Sequence, residues 1–81
     1  MSVEELKEKL LENAYENVIV YDDFADAFLG ITYDNRAVYS YEKMIDCLVK
    51  QGDTEEDAME YIEFNCCNCL GEGMPIVIFE I

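Results

Sequence analysis

The chain has 81 residues, the size of one domain with a thin core and too short for two. Its 52% hydrophobic and 12% aromatic content exceeds that of a disordered acidic tail, so a single folded domain over 1–81 is expected. Nineteen acidic residues face five basic ones with no histidine, a net charge of −14. That balance excludes direct binding to nucleic-acid backbones or anionic membranes, because Lys7, Lys9, Arg36, Lys43 and Lys50 are too few and too scattered to displace counterions.

At the amino terminus, Ser2 followed by Glu5 has the form of a capping box. Val3, Leu6, Leu10 and Ala14 recur at helical spacing, with Glu5, Glu8 and Glu12 on another side, which predicts an amphipathic helix from 3 to about 15. Val18 to Tyr21 reads either as a short strand or as an apolar crossing segment, and Asp22 to Asp26 as a turn or short helical stretch. Ala27 to Tyr33 and Arg36 to Tyr39 carry the residue types of a hairpin that turns at Asp34-Asn35, where asparagine tolerates positive φ.

Ser40 offers a cap for a second helix with Tyr41, Met44, Ile45 and Leu48 on one face and a weak Asp46–Lys50 pair on another. Gly52 supplies its stop. Thr54 caps a third helix whose first turn, Glu55-Glu56-Asp57, places negative charge at the positive end of the dipole. Ala58, Tyr61, Ile62, Asn65 and Cys69 cluster on one side of it, and Glu56, Glu60 and Glu63 on the opposite one. Gly71, Gly73 and Pro75 break the helix before an apolar strand over Ile76 to Ile81, which reads as central or covered. These elements predict an α+β fold: a three-stranded, largely antiparallel sheet, made of the hairpin plus the C-terminal strand, packed against about three helices.

Two groups of residues invite chemistry. Cys66 and Cys69 have CxxC spacing, with Cys67 between them and Cys47 on the preceding helix. Four thiols are a zinc complement in number, but the second ligand pair is missing, so zinc and a redox dithiol stand beside the simpler reading of small core cysteines. Without histidine, a Cys–His nucleophile within one chain is excluded. Asp22, Asp23 and Asp26, joined by Asp34 if the chain folds back, would suit a hard cation, yet they lack the donor series of a calcium loop. They read mainly as a solvated turn or a partner-facing surface. No catalytic residue and no cofactor is expected.

Among single residues, Arg36 is expected to pair across the hairpin with Asp34 or another acid. Asn65, if buried, needs backbone partners. Tyr33 and Tyr39 form a cross-strand pair or lie on separate faces, according to register.

Gly30-Ile31, Arg36 to Lys43, Thr54 to Ala58 and Tyr61 to Asn65 resemble a widespread set of short acidic proteins from bacterial and prophage genomes, generally without assigned function. The resemblance spans 24 to 78 and includes the Gly71 to Pro75 approach to the last strand. Members of that set usually lack the Cys66-Cys67-Asn68-Cys69 cluster, which weighs against the cysteines defining its function. The resemblance implies a phage setting, which an inhibitor of a host nucleic-acid-binding protein would fit.

Together these features lead to the expectation of an acidic, non-enzymatic protein-binding module. Glu8, Glu12, Asp22, Asp23, Asp26, Glu56, Glu60 and Glu63 would face a basic protein and mimic nucleic-acid charge. The alternatives are a small metal-binding or redox accessory protein using Cys47, Cys66, Cys67 and Cys69, or an acidic domain with no mimicry. No segment has the length of a membrane span or the pattern of a secretory signal, so a cytoplasmic monomer or homodimer is expected.

Overall fold

In the computed structural model, which describes residues 2–15, 17–66, 71 and 73–81, each of the three α-helices starts where a hydroxyl side chain receives a first-turn amide. The Glu5 amide donates to Ser2 Oγ at 3.2 Å at the start of α1 (Val3–Glu12). The Lys43 amide donates to Ser40 Oγ at 3.3 Å at the start of α2 (Tyr41–Lys50). The Asp57 amide donates to Thr54 Oγ1 at 3.2 Å at the start of α3 (Glu55–Asn65).

Helices α1 and α2 end in the same way. After α2, Gly52 takes φ 109°, its amide bonds Val49 and the Asp53 amide reaches back to Leu48. After α1, Ala14 takes φ 64°, its amide bonds Leu11 and the Tyr15 amide reaches back to Leu10. Helix α1 therefore stops at Glu12, short of residue 15, because an alanine occupies the left-handed position that glycine usually marks.

Val18 to Tyr21 forms no strand and crosses to a single 3-10 turn, Ala25–Ala27, within the Asp22 to Asp26 region expected to turn. Strands β1 (Phe28–Ile31) and β2 (Ala37–Ser40) pair antiparallel, with Phe28 opposite Tyr39 and an irregularity between Phe28 and Gly30. The connecting loop is held by the Thr32 and Asn35 backbone, with Asn35 at φ 63° as anticipated. Its Tyr33 sits at the exposed tip, so Tyr39 pairs with Phe28 instead.

Strand β3 (Ile76–Ile78) adds to the other side of β2 and runs parallel to it, Tyr39 opposite Val77. The α+β class, with three helices against a hairpin plus a C-terminal strand, is as expected. Within the sheet the hairpin pair is antiparallel and the third strand parallel, because the α2–α3 crossover returns the chain to the end where β2 begins. The position of β3 is a correction: β2 is central, β3 is an edge strand shorter than 76–81, and Phe79 and Ile81 are exposed. Its apolar composition does not reflect full burial.

The main core gathers Phe24, Ala27, Ala37, Tyr39, Met44, Leu48, Ala58 and Ile62. Tyr39 is fully buried and touches the rings of Tyr21 (5.2 Å between centroids) and Phe28 (5.8 Å). A smaller cluster of Leu6, Leu10 and Ala25 seats α1, and Val20, Phe28 and Ile31 contact both clusters. Among the described residues no helix is long and apolar enough to cross a membrane.

Candidate acidic interaction surface

Every described aspartate and glutamate is exposed. On α1 the inward Leu6 and Leu10 leave Glu8 and Glu12 facing solvent, and on α3 the inward Ala58 and Ile62 do the same for Glu56 and Glu60. The two rows sit over different clusters of the core. Glu63 has a structural bond as well: its Oε2 accepts from the Tyr41 hydroxyl at 3.1 Å, joining the end of α3 to the start of α2.

Asp22, Asp23 and Asp26 do not converge with Asp34. Asp22 lies 3.5 Å from Lys7 Nζ in an exposed ion pair, and Asp23 is solvent-facing. Asp34 accepts from the Thr32 hydroxyl in the hairpin loop, where the Arg36 amide in turn donates to Thr32 Oγ1. Asp26 lies in the 3-10 turn, close enough for its charge to act on Cys47. Among the described residues no group of three or more acidic or cysteine side chains is placed to hold a metal.

Cys47 is half-buried on α2, and Cys66 is buried at the end of α3 among Ile62 and its neighbours. Burial pushes the Cys47 thiol up, reinforced by the Asp26 and Asp46 carboxylates and opposed by Lys50. That is the reverse of what an activated thiol needs. Cys67 and Cys69 lie outside the described residues.

Three single-residue expectations are corrected. Arg36 does not pair with Asp34; its Nε donates to the Met74 carbonyl at 2.8 Å, tying the start of β2 to the approach of β3. Asn65 is exposed, and its amide donates to the Tyr61 carbonyl one turn back in its own helix. Tyr61 on the same helix is also largely exposed, which leaves the inward face narrower than the sequence pattern suggests.

One feature was not legible in the sequence. Helices α2 and α3, joined through residues 51–54, leave between them a groove of ≈ 200 Å³ lined by Glu42, Ile45, Asp46, Glu55 and Met59. Ile45 and Met59 are the apolar part of its lining, and carboxylates from both helices are the rest. Asp46 and Lys50, expected to pair, do not, and Glu42 and Glu55 make no ion pair among the described residues either. The sequence signal was present only in separate parts: Asp46 as half of a helix pair, Glu55 as a helix-start charge.

Exposed carboxylates on α1, on α3 and near the Ala25–Ala27 turn, in a chain of net charge −14, leave the described surface predominantly anionic. Comparison with protein-family models, curated proteins and solved structures found no match to the chain.

Proposed function

We propose that this protein is a single, non-catalytic acidic domain that binds a basic protein surface in the cytoplasm. The observation that carries the reading is the exposure of every described carboxylate in a chain of net charge −14. Lys7 pairs with Asp22 and Lys43 with Glu80, and the five basic residues together leave the excess of fourteen negative charges uncompensated. Such a field steers and orients a basic partner, and the interaction weakens as salt rises.

The outward pairs Glu8 with Glu12 and Glu56 with Glu60 are each four residues apart, a rise of about 6 Å along a helix and near the spacing scale of backbone phosphates. In this reading they imitate nucleic-acid charge, with Asp22, Asp23, Asp26 and Glu63 extending the surface. The phage setting implied by the sequence resemblance would make the partner a host nucleic-acid-binding protein. Capture from a native host lysate across a salt series tests the proposal. A selective basic partner, retained by the native chain at moderate salt and lost when Glu8, Glu12, Glu56 and Glu60 become glutamine, is the expected result. Recovery of no selective basic partner at moderate salt overturns it.

A further inference from the structure

We propose that the α2–α3 groove is a receptor for an arginine side chain presented by a basic segment of the partner protein. The inference rests on the acidic binding reading and gives it a site.

The groove joins two features that separately are commonplace. Part of its lining is apolar: Met59 is 41% exposed and Ile45 half-buried, so both can cover a hydrocarbon stem without rearrangement of the core. The rest of the lining is Glu42 and Asp46 from α2 and Glu55 from α3. None of these three carboxylates is neutralised by an ion pair among the described residues, although Lys43 and Lys50 lie on the same helix as two of them. The groove is small, ≈ 200 Å³, and five side chains from the two helices line it.

Shape and charge then select the occupant. A divalent ion needs oxygen donors converging on one point. No such group is found among the described residues. An arginine suits this lining: its three-carbon stem can pack on Met59 and Ile45, while its planar guanidinium presents five donors in a fixed fork to carboxylates from both helices. Lysine has a four-carbon stem that ends in a strongly hydrated point charge, without that fork.

The decisive comparison holds charge constant. Glu42→Gln with Asp46→Asn, and Glu4→Gln with Glu5→Gln as the control, each change the net charge from −14 to −12. All four side chains are exposed on helices, and the circular dichroism spectrum of each variant should match that of the native chain. The probe is a fluorescein-labelled peptide of alternating arginine and serine, with a lysine and serine peptide of equal length beside it, titrated at physiological ionic strength. The groove variant is expected to bind the arginine peptide about tenfold or more weakly, the loss of one charge-assisted hydrogen bond. The control should change it about twofold or less.

A second readout uses the native chain alone. The exposed Met59 methyl resonance shifts on addition of the arginine peptide, while that of buried Met44 stays in place. Equal weakening of the two variants, equal affinity for the two peptides, or an unmoved Met59 signal overturns the groove and leaves the acidic reading standing. Failure of both peptides to bind the native chain at all removes the groove together with that reading.

Discussion

The backbone amide of Tyr21 donates to the phenolic oxygen of Tyr39 across 3.0 Å, so a segment that belongs to no strand is tied to the central strand by a side chain. Tyr39 is fully buried, and removing its oxygen leaves a part-buried donor without this acceptor. Tyr39→Phe should therefore destabilise the fold by about 1–2 kcal/mol at neutral pH, measured by urea unfolding.

The same tyrosine predicts an alkaline limit. Burial holds its hydroxyl above the ordinary 10.0, against the Tyr21 amide that favours the ionised oxygen and with the Asp22 charge adding to the rise. The unfolded chain gives up this proton near 10.0 and the folded chain only at higher pH. Its stabilising contribution is thus complete below 10.0 and is lost as pH climbs through the interval above it. Unfolding curves from pH 9 upward should fall more steeply for the native chain than for Tyr39→Phe; parallel decline of the two would contradict this assignment.

Ala14 occupies a left-handed conformation that costs a residue with a β-carbon about 1–2 kcal/mol. Ala14→Gly removes that strain while adding freedom to the unfolded chain. A net gain of about 0.5–1 kcal/mol is expected, seen as a higher urea midpoint with an unchanged slope.

Helix α1 is seated on the fold through Leu6 and Leu10 as its buried residues, whereas α2 and β2 lie in the larger cluster. Local opening of α1 should precede global unfolding. In native-state hydrogen exchange, Leu6→Ala should raise exchange along Val3–Glu12 while Tyr39 and Met44 amides remain protected. The cost at α1 is about 2–5 kcal/mol, the range for a buried leucine truncation.

Charge repulsion should be visible in stability itself. The Debye length shortens from about 30 Å at 0.01 M salt to about 10 Å at 0.1 M. With a radius of gyration of 12.4 Å, the first value lets carboxylates repel across the whole molecule and the second confines repulsion to neighbours. Thermal midpoint should rise with sodium chloride over that range, and a flat or falling midpoint would show that the −14 charge imposes no net strain.

Where each helix begins was determined by the sequence. Ser2, Ser40 and Thr54 act on amides three residues away, so nothing distant is needed to place them. Gly52 and Asn35 are similar: their positive φ is a local backbone state that their residue types favour. The exposure of the acids also followed from helix periodicity.

Tertiary structure decided the rest. Ala14 adopts the conformation of Gly52 with no residue type to announce it. Strand β3 is parallel and at the edge because of where the α2–α3 crossover delivers the chain, a matter of chain path that an apolar run of residues does not encode. Arg36 finds the Met74 carbonyl, and Glu63 the Tyr41 hydroxyl, through contacts more than twenty residues apart in sequence. The groove of Glu42, Ile45, Asp46, Glu55 and Met59 has the same origin: its lining comes from two helices, and only their packing brings those residues together.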